Sequence, residues 1–296
     1  MNFEIRQHDR RGDESPAAFE ARVRAAARRV ETPCGAGQMV WHVWGNESQP
    51  PLVLFHGGFG SWRHWILNVL PLSRSYCVIA ADLPGLGDSD PIREEYAAEN
   101  IAAEVSRGID ILVPPPNRFH VAGFSFGGII GGHVSVLQGK RVRSFAAVAA
   151  GGLGLRNAPF PELASMSTAS TPEALAEVHR NNLSRLMIDN PERIDDLAIH
   201  VQTETVRRAR VRSGKIPLTG TLTSALKRID TVLAGIWGEK DVIAGPYMDD
   251  RKQLFQSIQP GCDFRIIEDA GHWVMYERPE AFNATLLELL AAAEKN

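Results

Sequence analysis

Cysteine is scarce. The 296-residue chain has three, Cys34, Cys77 and Cys262, far apart and never in a CxxC spacing. An odd, scattered set excludes a disulfide framework and a thiolate metal site, and points to reduced thiols in a cytoplasmic setting. Long apolar runs are missing too: no stretch nears the roughly 20 apolar residues that a membrane span needs. The segment from Met1 to Arg29 mixes Arg with Glu4, Asp9, Asp13, Glu14 and Glu20 and lacks an apolar centre, unlike a secretory or transit signal. Neither charge is in excess. Lys plus Arg number 32 against 35 Asp plus Glu, a formal net charge of -3, which argues against a nucleic-acid polyanion as main partner. The histidines show no paired spacing of a ligand set, so no metal and no cofactor are expected.

What is present is globular. Hydrophobic residues make up 44% and charged residues 23%, which suits one large domain or one domain with a sizeable insertion. Ser15-Pro16 marks a helix start, with Phe19, Val23, Ala26 and Val30 at helical spacing behind it, so 1–37 reads as an N-terminal helical extension. From Gln38 onward short apolar runs recur at Met39 to Trp44, Leu52 to Phe55, Cys77 to Ala81, Phe119 to Ala122, Ser144 to Ala150, Val232 to Trp237 and Phe264 to Ile267. Each reads as a buried strand, and helical patterns lie between several of them, notably Ala97 to Leu112, Phe126 to Leu137, Met248 to Ile258 and Glu280 to Ala293. That alternation predicts an α/β fold with a mostly parallel central sheet flanked by helices. No strand is evident between Ala150 and Val232. Helical stretches from Pro172 to Met187 and Pro191 to Arg212 predict a helical cap over 153–228, inserted between core segments 38–152 and 229–296.

Gly123-Phe124-Ser125-Phe126-Gly127 follows a strand and opens a helix, which is the setting of a nucleophile elbow. A serine nucleophile needs a base and a carboxylate to orient that base. His272, in Ala270-Gly271-His272-Trp273, follows the strand ending at Ile267. Asp241, in Gly238-Glu239-Lys240-Asp241, follows the strand ending at Trp237, with Glu239 as the nearest rival acid. Both lie past carboxyl ends of strands, where ligands bind in open parallel sheets, and the order Ser125, Asp241, His272 suits this elbow. An oxyanion requires backbone N–H donors. Phe55-His56-Gly57-Gly58-Phe59-Gly60 supplies the amide of Gly58, Phe126 supplies the other, and His56 is expected to bond within its loop.

Residues 38–294 resemble the α/β-hydrolase superfamily in motif order and cap position. The landmarks are the His-Gly-Gly loop, Asp82-Leu83-Pro84-Gly85-Leu86-Gly87-Asp88-Ser89, Gly-Phe-Ser-Phe-Gly-Gly, Trp-Gly-Glu-Lys-Asp and Gly-His-Trp. The resemblance implies structural roles for Asp82 and Ser89. Gly271-His272-Trp273 with Glu277, and Asn181-Asn182-Leu183, resemble the meta-cleavage product hydrolases (2-hydroxymuconic semialdehyde type), which cut a carbon–carbon bond in ring-opened dienoates. That family has Asn where Phe124 stands, a polar Asn where Leu67 or Asn68 stands, and a cap arginine near the position of Val201. These three departures count against that substrate and leave the hydrolytic groups in place.

Three readings follow. In the first, the chain is a serine hydrolase of a small, largely apolar carboxylic ester, with Phe59, Trp62, Trp65, Phe124, Phe126 and Trp273 lining the pocket. In the second, it cleaves a carbon–carbon bond, with Arg63, Arg180 or Arg185 holding the substrate carboxylate. In the third, it is a non-catalytic binder of a small ligand on the same fold. A carboxylate nucleophile, as in dehalogenases and epoxide hydrolases, is disfavoured because the elbow holds serine. The expected partner is a small molecule, with neither membrane nor nucleic acid involved; whether copies associate as a homo-oligomer is left open.

Overall fold

Eight strands form a single sheet in the computed structural model of the protein, which describes residues 13–295. In chain order the elements are α1 (Pro16–Ala25), β1 (Arg28–Cys34), β2 (Gly37–Trp44), β3 (Pro51–Phe55), α2 (Val69–Leu72), β4 (Cys77–Ala81), α3 (Ala98–Leu112), β5 (Phe119–Phe124), α4 (Phe126–Gln138) and β6 (Val142–Val148). After them come α5 (Pro172–Leu186), α6 (Asp196–Arg208), α7 (Thr221–Leu226), β7 (Val232–Gly238), α8 (Met248–Ile258), β8 (Asp263–Ile267), α9 (Val274–Glu277) and α10 (Pro279–Ala293). The spatial order is β1-β2-β4-β3-β5-β6-β7-β8, antiparallel at β1/β2 and β2/β4 and parallel from β4 to β8.

The parallel strands are apolar because helices cover both faces of the sheet, and every residue of β4 and β5 is buried. All six tryptophans, Trp41, Trp44, Trp62, Trp65, Trp237 and Trp273, lie in this core at 1% exposure or less. The three cysteines are free and buried, and burial pushes the Cys34 and Cys262 thiols up to about 12. Among the described residues, no helix is long and apolar enough to cross a membrane.

Two expectations from sequence need correction. The segment 1–37 is not a helical extension throughout. α1 begins as expected, with Ser15 Oγ accepting from the amide of Ala18 (3.3 Å), but it ends at Ala25. Val30 belongs to β1, which pairs with β2 from Arg28 opposite Val43 to Cys34 opposite Gly37, the hairpin turning at Gly35 with φ +57°. Residues 1–12 of that segment lie outside the described residues. Further along, α6 starts at Asp196 instead of Pro191, because the Asp195 side chain accepts from the amide of Ala198 (2.8 Å) and caps it, whereas Pro191–Arg193 is a short 3-10 turn. Between β6 and β7 the described chain is helical and irregular, with α5, α6 and α7 and no strand.

Candidate active site

Ser125 sits between β5 and α4 with φ 51° and ψ -112°, a conformation costing a non-glycine residue about 1–3 kcal/mol. The surroundings hold it there. Its amide donates to the Val148 carbonyl (2.8 Å) and its carbonyl accepts from Gly128 (3.1 Å). A side chain at Gly123 would put Cβ 2.3 Å from the Gly127 carbonyl oxygen, and one at Gly127 would lie 2.4 Å from that of Phe55. Only glycine on both sides lets strand, turn and helix close so tightly.

The three groups expected from distant stretches of chain meet here. Ser125 Oγ lies 3.1 Å from His272 Nε2, and His272 Nδ1 lies 2.9 Å from Asp241 Oδ2. With Asp241 ionised and accepting, Nδ1 carries the proton and Nε2 is free to accept from the hydroxyl. Asp241 is 2% exposed, and its Oδ1 accepts from the amides of Ile243 (2.9 Å) and Ala244 (3.3 Å). Burial pushes this carboxyl up, but His272 and those two amides outweigh it and hold it below the usual aspartate range. The rival Glu239 is exposed and accepts from the amide of Asp269 (3.2 Å), with no hydrogen bond to His272.

The loop after β3 carries Gly58. Neither the Gly58 amide nor that of Phe126 has an acceptor among the described residues, which leaves both N–H groups free to donate. Two histidines shape this loop. His56 bonds within it through Nδ1, which donates to the Gly57 carbonyl (2.8 Å), and ties it to the loop after β4 through Nε2, which accepts from the amide of Leu83 (2.9 Å). His64 accepts the Gly57 amide on Nδ1 (3.2 Å). Burial, then His56 and His272, push His64 well below the ordinary histidine value, so it stays neutral and keeps that lone pair. Asp82 takes the amides of Trp62 (2.8 Å) and Asp88 (2.9 Å), and Ser89 donates to the Asp82 carbonyl (2.6 Å), so both residues brace loops.

The loop bearing His272 is sewn to the helical insertion. Glu277, fully buried, accepts from the amides of Gly271 (2.8 Å), Asp189 (3.1 Å) and Asn190 (2.7 Å), and the amide of Trp273 donates to the Met187 carbonyl (2.7 Å).

The pocket expectation is corrected. A cavity opens beside Ser125, His272 and Asp241, but its walls come from 149–155, Asn157, Phe160, Pro217 and Leu218, Trp237, Ile243, Ala244 and Arg251. None of Phe59, Trp62, Trp65, Phe124, Phe126 and Trp273 lines it. Trp62 packs on His42 and Trp44, Trp65 on Phe282, Phe124 on His64 and His272, Phe126 on Tyr96, and Trp273 on Tyr276, all as core. Phe59 is 41% exposed on its loop. The arginines expected as carboxylate clamps are also elsewhere. Arg63 is buried against Glu20 (2.6 Å), Arg180 donates to the Ile194 carbonyl (2.7 Å), and Arg185 donates to Asn181 and to the Glu162 carbonyl. Asn68 donates to Met275 and Asn283, away from the cavity. Sequence reasoning missed His64 and Arg251, which no motif marks.

A model of the Alpha/beta hydrolase family matches residues 52–285. The dihydrolipoyllysine-residue acetyltransferase component of the acetoin cleaving system of Pseudomonas putida is 27% identical over 269 residues, covering 86% of this chain; the chain spans 67% of that relative's length. The 2-hydroxy-6-oxo-6-phenylhexa-2,4-dienoate hydrolase of Burkholderia cepacia is 25% identical, covering 81% of this chain and 87% of that protein. Among solved structures, the naproxen esterase (carboxylesterase NP) of Bacillus subtilis superimposes with a TM-score of 0.74 at 20% identity, over 95% of this chain and 99% of that one.

Proposed function

The chain belongs to the alpha/beta hydrolase family, and from that premise we propose that it is a serine hydrolase of small carboxylic esters working through an acyl-enzyme. The observation that carries the reading is the continuous pair of hydrogen bonds from Ser125 Oγ to His272 (3.1 Å) and from His272 to Asp241 (2.9 Å). Ser125 Oγ attacks the ester carbonyl carbon while His272 Nε2 takes its proton. The carbonyl oxygen gains the negative charge and is held by the amides of Gly58 and Phe126. His272 then returns the proton to the departing alkoxide, and the C–O bond breaks. In the second half-reaction His272 deprotonates a water that attacks the acyl-enzyme, and the acid leaves as Ser125 regains its proton. Asp241 holds the imidazole in the required tautomer and stabilises the imidazolium. The apolar wall of Leu153, Phe160, Leu218 and Ile243 suits a hydrocarbon acyl or alcohol group.

Carbon–carbon cleavage is the second reading, favoured by the likeness to the Burkholderia cepacia dienoate hydrolase over 81% of the chain. A substrate panel separates the two. Turnover of short-chain 4-nitrophenyl esters faster than of a ring-opened dienoate is expected; the reverse ranking replaces the ester reading with the second, and no turnover of either removes both.

A further inference from the structure

Arg251, on α8, is 3% exposed and lines the same cavity as Ser125 and His272. Its guanidinium serves neutral oxygens only. Nη1 donates to the carbonyls of Tyr247 (2.9 Å) and Arg156 (3.3 Å), and Nη2 donates to Asn157 Oδ1 (2.6 Å). No carboxylate lies within ion-pair distance of it among the described residues, and its Nε–H has no acceptor among them. Asp241 is engaged by His272, Ile243 and Ala244. A buried cation with no carboxylate bonded to it is costly, and proteins pair such groups. Burial pushes Arg251 below its ordinary value, and the charges of Asp241 and Asp250, acting from beyond ion-pair distance, oppose that push without offsetting it. The carbonyls that hold it fix the guanidinium at the cavity wall, where the planar fork matches a carboxylate.

We propose that Arg251 and Asn157 form an anion subsite of this cavity, and that the substrate is an ester carrying a free carboxylate that Arg251 binds while Ser125 attacks the ester carbonyl. The subsite deepens the serine-hydrolase reading and rests on it. The carboxylate supplies the directly bonded counter-charge that Arg251 lacks, and the apolar walls enclose the carbons between it and the scissile bond. Arg251 is a specificity-determining residue here and takes no proton in the reaction.

The experiment compares 4-nitrophenyl hydrogen glutarate with its methyl-capped, neutral counterpart, corrected for spontaneous hydrolysis. Wild type is expected to favour the carboxylate ester in kcat/KM by about tenfold or more, the scale of one charge-assisted hydrogen bond. Arg251→Met is expected to abolish that preference and Arg251→Lys to retain part of it. A wild type without the preference, or Arg251→Met lowering both esters by one common factor, overturns the proposal, since a purely structural arginine acts on both alike. Should Arg251→Met fail to fold, the wild type itself decides: glutarate is expected to slow fluorophosphonate labelling of Ser125 where glutaramide does not, and equal effects overturn the proposal. Protein that labels at Ser125 but shows no preference removes this subsite alone. Protein that takes no label and hydrolyses neither ester removes the underlying hydrolase reading and this subsite with it.

Discussion

The amide of Gly57 donates to Nδ1 of His64 across 3.2 Å, tying the proposed oxyanion loop to the buried 3-10 turn Trp62–Trp65. His64→Phe keeps a ring of similar size and removes the acceptor, so Gly57 and Gly58 lose their fixed orientation. The expected outcome is a fall in kcat of about tenfold to a hundredfold, with KM changing less, because small misplacements of catalytic groups cost that much. Steady-state kinetics on a 4-nitrophenyl ester, with circular dichroism to verify folding, checks it; an unchanged kcat detaches His64 from the site.

Asp241→Asn is expected to lower kcat by about 10⁴, through loss of the imidazole tautomer that accepts from Ser125. Glu239→Gln is expected to leave the rate near wild type, since Glu239 faces the amide of Asp269. Rates for the pair, measured on one ester, settle which acid orients His272, and the opposite ranking would put the assignment on Glu239.

Gly123→Ala tests the strained turn. Its Cβ would lie 2.3 Å from the Gly127 carbonyl oxygen, a backbone atom that cannot move without shifting α4. A destabilisation of about 1–3 kcal/mol is expected from such overpacking, with activity lost further than stability because Ser125 moves with the turn. Denaturant melts and kcat together check it, and full activity in the variant would show that the elbow tolerates Cβ there.

Glu20 joins three parts of the molecule. It accepts from Arg63 in the loop after β3 (2.6 Å) and from His200 on α6 (2.8 Å). Burial raises its pKa, but the bonds to His200 and Arg63 outweigh this and bring it down from 4.5 to about 2. A folded-state value below the unfolded one gives stability that is present above the unfolded pKa and is lost as pH falls from about 4.5 toward 2. Glu20→Gln is therefore expected to make the acid limb of the Tm–pH profile shallower. At neutral pH it is expected to cost about 3 kcal/mol, because Arg63, fully buried, loses its counter-charge. An acid limb as steep as that of wild type would contradict the pairing.

Much of this was legible from residue order. Parallel strands buried on both faces spell out continuous apolar runs, so Cys77–Ala81 and Phe119–Phe124 stand out, and the elbow glycines flank Ser125 in a pattern that packing demands. β1 was not legible, because Arg28, Arg29 and Glu31 on this edge strand meet solvent and blur its alternation into the preceding helix. Sequence also cannot distinguish a tryptophan in the core from one in a pocket. Trp62 and Trp273 stand beside candidate-site motifs yet turn inward, because motif proximity fixes the backbone and leaves the side-chain direction to tertiary packing. Arg251 hides for the same reason. In MDDRKQLFQSI nothing separates it from Lys252, and only the fold brings it to the cavity wall.

Reaction with a fluorophosphonate, followed by intact-mass and peptide mass spectrometry, tests the central claim most directly. The account predicts one adduct per chain of folded wild type, mapped to Ser125, and none on Ser125→Ala of the same fold. An unlabelled wild type, or a Ser125→Ala protein labelled as fast as wild type, would contradict it.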